Sequence, residues 1–92
     1  MPAMFIERDG GISEDEWRRA VTTCGGRLVG ATLDVELRDD DGTFRSVLRW
    51  EGTSGEFSML SYVQPFIAQL VAIARELGAV LVDNDGAIYF RS

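Results

Sequence analysis

Apolar and polar residues alternate in "MFIER", Met4 to Arg8, which predicts a short strand ending in the turn "DGG". The period then lengthens. In "ISEDEWRRAVTTCGG", Trp17, Ala20, Val21 and Cys24 recur at helical spacing and predict one buried stripe. The start of this helix is marked in several ways. Ser13 fits the N-cap, Glu16 is its reciprocal partner in a capping box, and Ile12 and Trp17 occupy the staple positions. Glu14, Asp15 and Glu16 set negative charge at the positive end of the helix dipole, and Gly25 and Gly26 end the run.

From Ala31 to Tyr62 the period falls to two. Leu33, Val35 and Leu37 alternate with Thr32, Asp34, Glu36 and Arg38, as in a strand with one wet face. "DDDG", Asp39 to Gly42, predicts a hairpin turn. In the return strand Phe44, Ser46, Leu48 and Trp50 alternate with Arg45, Val47, Arg49 and Glu51. A turn of two or four residues would place Leu48 and Trp50 on the face of Leu33, Val35 and Leu37. "GTSG" and "EFSMLSY" continue the meander. A second helix starts near Pro65, whose fixed φ and missing N–H suit the first helical position. Its apolar face, Phe66, Ile67, Leu70, Val71, Ile73, Ala74 and Leu77, is wide enough to make it the more buried helix. Gly78 closes it, and "AVLVD" and "AIYFR" form a final hairpin across "DNDG". The order β-α-β-β-β-α-β-β predicts an α+β fold. Its form is a two-layer sandwich, with a mainly antiparallel sheet and both helices on one face.

Ninety-two residues suffice for a single domain spanning 1–92 with one modest core. No apolar run approaches the roughly 18 residues of a membrane span, and the N-terminus has no basic segment before an apolar core, so a cytoplasmic protein is expected. The single Cys24 reads as a small apolar helix residue. Fifteen acidic residues oppose nine basic ones, all of them arginine, for a net charge of -6. Such a surface repels phosphate backbones and acidic membranes, and its natural complement is a basic protein.

Several chemistries are closed. Without histidine there is no Ser-His or Cys-His pair and no imidazole ligand, and without lysine there is no Schiff base or phosphate-loop lysine. "DDDG" and "DNDG" could be parts of calcium loops. Aligning Gly42 or Gly86 on the loop glycine, however, puts Leu37 and Leu48, or Leu81 and Ser92, at the two end ligand positions. Both stretches therefore read as Asp-rich hairpin turns. No enzyme, cofactor or metal site is expected. Trp17 and Trp50 fall in core phases.

Two stretches together resemble a group of small uncharacterised bacterial proteins. That group shows an I-S-x-x-E-W helix start and an I-A-x-x-L-G-A-x-V-x-x-D-D-G-x-x-Y ending. Ile12, Ser13, Glu16 and Trp17 match the first; Ile73, Ala74, Leu77, Gly78, Ala79, Asp85, Gly86 and Tyr89 match the second. Leu81 replaces the valine and Asn84 the first aspartate. The resemblance implies no activity. In size and charge the chain is also similar to bacterial immunity proteins, which cover a cognate toxin. The expected function is a small acidic protein-binding module of the immunity or inhibitor type. Its interface would be Asp34, Glu36, Asp39, Asp40 and Asp41. The alternative is a small-molecule or regulatory domain with a cleft between sheet and helices. Homodimerisation through an edge strand is compatible with either.

Overall fold

The computed structural model describes residues 4–30, 33–50, 57–59, 64–83 and 85–91. Strand β1 (Met4–Glu7) leads into helix α1 (Glu14–Thr23). Strands β2 (Arg27–Val29), β3 (Asp34–Arg38), β4 (Phe44–Trp50) and β5 (Phe57–Met59) follow. A 3-10 turn at Gln64–Phe66 opens helix α2 (Ile67–Leu77), and β6 (Val80–Asp83) and β7 (Ile88–Arg91) complete the order. The α+β arrangement is the expected one with one addition, β2. Three residues between glycines are too few to display a period. Every described strand pairing is antiparallel, and the strands fall into two sheets, β1-β6-β7 and β2-β3-β4-β5, with β1 lying alongside β5.

Both helices and both sheets feed one core. Met4 and Ile6 of β1, Trp17, Ala20 and Val21 of α1, Val35 and Leu37 of β3, and Leu70, Ile73 and Ala74 of α2 all pack with Leu81 of β6. Helix α1 starts as its sequence signals. The Ser13 hydroxyl accepts from the Glu16 backbone N–H at 3.2 Å, while the Glu16 carboxylate accepts from the Ser13 backbone N–H at 3.3 Å. Past its end, the Gly26 N–H reaches back to the Val21 carbonyl. A Cβ on Gly26 would stand 2.8 Å from the Leu37 side chain and 2.9 Å from that of Val21, so only glycine allows α1 to approach β3 this closely. Gly78, at φ 63°, ends α2 in the left-handed conformation.

The face assignment of the meander needs correction. The loop between Asp39 and Thr43 has three residues, so Leu37 lies opposite Arg45 and Glu36 opposite Ser46. A bulge then inserts Val47, and Val35 comes opposite Leu48. Two irregularities cancel. Val47, expected on the wet face, is buried in the core. Leu33 is buried but precedes the strand, in a turn at φ 53°. The side chains of Leu48 and Trp50, the "GTSG" turn and most of "EFSMLSY" lie outside the described residues.

Candidate functional site

The expected interface residues sit on β3 and on the tip that follows it. Because Val35 and Leu37 point into the core, Asp34, Glu36 and Arg38 point away from it. Both β3 carboxylates on this outer face have an arginine. Glu36 pairs with Arg27 of β2, which lies directly opposite it, at 2.7 Å; Asp34 pairs with Arg49 of β4 at 3.3 Å. The Arg27 guanidinium also covers the Phe44 ring at 3.9 Å from the centroid, and Arg38 lies 4.9 Å from the same ring. The sheet face read as an extension of acidic charge is thus a mixed surface, in which Arg27, Arg38 and Arg49 outnumber Asp34 and Glu36.

At the tip the three aspartates divide their work. Asp39 Oδ1 accepts the backbone N–H groups of Asp41 at 2.9 Å and Thr43 at 3.0 Å, and its other oxygen holds Arg45. The Arg45 hydrogen bond and these backbone donors keep the Asp39 carboxyl below the usual carboxylate range. The Gly42 N–H closes the turn on the Asp39 carbonyl, and Gly42 stands at φ 79°. Asp39 is therefore a structural residue. Asp40 and Asp41 project from the turn and are exposed. The structure places the five expected residues along β3, an inner strand of its sheet, and on the tip that follows it, but leaves only Asp40 and Asp41 outside the ion pairs described.

The second aspartate turn is built alike. Asp83 Oδ1 accepts from Asp85 and Ala87, both at 2.9 Å, and Asp83 Oδ2 accepts from the Tyr89 hydroxyl at 3.2 Å. The Ala87 N–H is the main reason that the Asp83 carboxyl is lowered. Asn84 lies outside the described residues. Among those described, no cluster of three carboxylate or thiol side chains is arranged to hold a metal ion.

One polar cluster escaped the sequence reading. The Arg8 guanidinium, at the end of β1, donates to both Glu16 oxygens at 2.9 Å, to the Gly11 carbonyl at 2.8 Å and to the Leu77 carbonyl at 3.0 Å. It clamps the start of α1 to the end of α2. Arg8 holds the Glu16 carboxyl down at about 2, assisted by the Ser13 donors. The signal for half of this was present in the capping box; the other half needed the fold. The thiol of Cys24 is half-buried and its pKa is raised by burial and by Glu76, which disfavours a reactive thiolate.

The space between helices and sheets is filled by side chains such as Trp17, Leu70, Ile73 and Leu81. A shallow groove instead crosses the outer side of β1-β6-β7, bordered by Glu7, Val80, Val82, Ile88 and Arg91, and a second lies beside Arg8 and Glu16. Among the described residues no helix is long and apolar enough to cross a membrane. Comparison of the chain with protein-family models, curated proteins and solved structures finds no match.

Proposed function

We propose that this chain is a small acidic, non-enzymatic binding module of the immunity or inhibitor type, and that it meets a basic protein through the tip of the β3–β4 hairpin. The observation that carries this reading is the tip itself. Asp40 and Asp41 are exposed on a turn whose backbone is already tied by Asp39, so presenting their charge to a partner costs little ordering. Asp34, Glu36 and Asp39 have arginine partners, so a basic partner would have to displace those before gaining their charge. The net charge of -6 adds long-range attraction. Among the described residues the carboxyls displaced from ordinary values, those of Glu16, Asp39 and Asp83, all move downward, away from the range useful to a general acid or base. A lone half-buried cysteine suits a reducing cytoplasm. The filled interior favours this reading over a cleft that holds a small molecule.

The experiment is a comparison of wild type with Asp40→Asn/Asp41→Asn against the basic protein that co-purifies at low salt. Surface plasmon resonance at two salt concentrations should show slower association for the variant and a flatter salt dependence, with dissociation little changed. Equal association rates at low salt would reject the tip as the docking surface.

A further inference from the structure

The strand registers of the other sheet order its outer side into two rows. Glu7 lies opposite Val80 and Val80 opposite Arg91; Phe5 lies opposite Val82 and Val82 opposite Ile88. The alternate residues Met4, Ile6, Leu81 and Phe90 face the core and α2, so both rows point outward. Phe5, Val80 and Val82 are partly exposed, and Ile88 keeps 48% of its surface. The first row has an acid at one end and a base at the other. The second is apolar throughout.

We propose that this face is a homodimer interface, occupied by a second copy packed face to face about a two-fold axis parallel to β6. The pattern is self-complementary under that operation, as a symmetric interface requires. Rotation about β6 exchanges the β1 side with the β7 side. Glu7 then faces Arg91 of the partner subunit, and Arg91 faces the partner's Glu7. Phe5 meets the partner's Ile88, and Val80 and Val82 meet their own copies. A two-fold axis across the strands would instead lay each charged row on the apolar one and strand both charges. Charge therefore selects one orientation. Three strands about 4.8 Å apart give a small face, well short of the roughly 800 Å² per partner of a standard interface. Association is accordingly weak and reversible. The face belongs to a different sheet from the Asp40–Asp41 tip, so the dimer and the proposed docking site stand or fall separately.

Sedimentation equilibrium of the 92-residue chain from micromolar to millimolar concentrations tests the proposal. Wild type should show a monomer–dimer equilibrium that Ile88→Asp abolishes. Glu7→Arg and Arg91→Glu should each weaken it by about tenfold or more, through like charges brought face to face. The double variant Glu7→Arg/Arg91→Glu should restore it to near the wild-type value. These positions are exposed, and circular dichroism of each variant checks that the fold is kept. A wild type that stays monomeric into the millimolar range overturns the proposal. So does a dimer indifferent to these changes, as pairing of β7 edges would be, or a double variant that fails to recover.

Discussion

The hairpins β3–β4 and β6–β7 are built on one plan and put to opposite uses. Each has a three-residue loop, an aspartate whose Oδ1 ties two loop N–H groups, a glycine at positive φ, and a single bulge on the return strand. In each, the second carboxylate oxygen accepts from the residue six positions on, Arg45 in one and Tyr89 in the other. The difference lies in where the bulge falls. In β4 the extra residue is Val47, two positions beyond Arg45, and it enters the core. In β7 the extra residue is Tyr89 itself, which stays outside with its hydroxyl on Asp83. One inserted residue, moved by two places, separates a buried methyl group from an exposed phenol. Turn chemistry fixes the tip, whereas bulge position decides what the strand shows to water.

The shared plan is most open to test at the glycines. A Cβ on Gly42 or Gly86 meets nothing within 4 Å, so the cost of alanine is that of the left-handed backbone alone, about 1–2 kcal/mol at each site. Chemical denaturation should find equal losses for Gly42→Ala and Gly86→Ala; a clear inequality would mean that one tip relaxes and the plan is not shared. A neutral hydroxyl sets the scale for the same kind of backbone capping. Ser13→Ala should cost about 1 kcal/mol, and an unchanged thermal midpoint would move the start of α1 elsewhere.

Acid should act on both tips in the same direction. Asp39 and Asp83 are lowered in the folded state, so their contributions are present above the unfolded carboxylate value of about 4 and fade as pH falls through the folded values. Glu16 obeys the same sign, with its contribution fading between the ordinary glutamate value of 4.5 and about 2. Unfolding curves from pH 6 to pH 2 should show this loss, reduced in Glu16→Gln. Stability that rises on acidification would contradict it. Salt should separate the two tips, because Arg45–Asp39 is an exposed ion pair and Tyr89–Asp83 is not one at neutral pH. The smallest effect is spectroscopic. Asp83 raises the pKa of the Tyr89 phenol, so Asp83→Asn should bring the alkaline tyrosine titration down toward 10.0 while Asp39→Asn leaves it in place.

What could be read from the sequence divides along the same line as the hairpins. Ser13, Glu16 and Trp17, and the Asp-Gly pairs at the two tips, act on neighbours within a few positions, so spacing alone revealed them. The bulges did not show, because inserting Val47 or Tyr89 leaves the composition of an alternating strand unchanged and only shifts its phase. Arg8 was missed because its partners, Glu16 and the Leu77 carbonyl, are 8 and 69 positions away. At the candidate interface the signs of Asp34 and Glu36 were legible. Their neutralisation was not, because which arginine lies beside which carboxylate depends on register, through which Arg27 comes opposite Glu36.

The closed turns also bear on how the molecule ages. An aspartate followed by glycine is open to isoaspartate formation, in which the glycine nitrogen attacks the preceding side-chain carboxyl and expels water to form a succinimide, which water then reopens at the backbone carbonyl. At both tips that nitrogen is engaged: the Gly42 N–H donates to the Asp39 carbonyl at 3.0 Å, and the Gly86 N–H to the Asp83 carbonyl at 3.1 Å. Attack requires this bond to break and the glycine backbone to leave its positive φ. Two of the chain's three Asp-Gly pairs, the third being Asp9-Gly10, are thereby shielded for as long as the hairpins stay closed. Peptide mapping after prolonged warm storage should find isoaspartate at Asp41 and Asp85 in proportion to the time spent unfolded; equal accumulation in the folded protein would show that the turns give no such shelter.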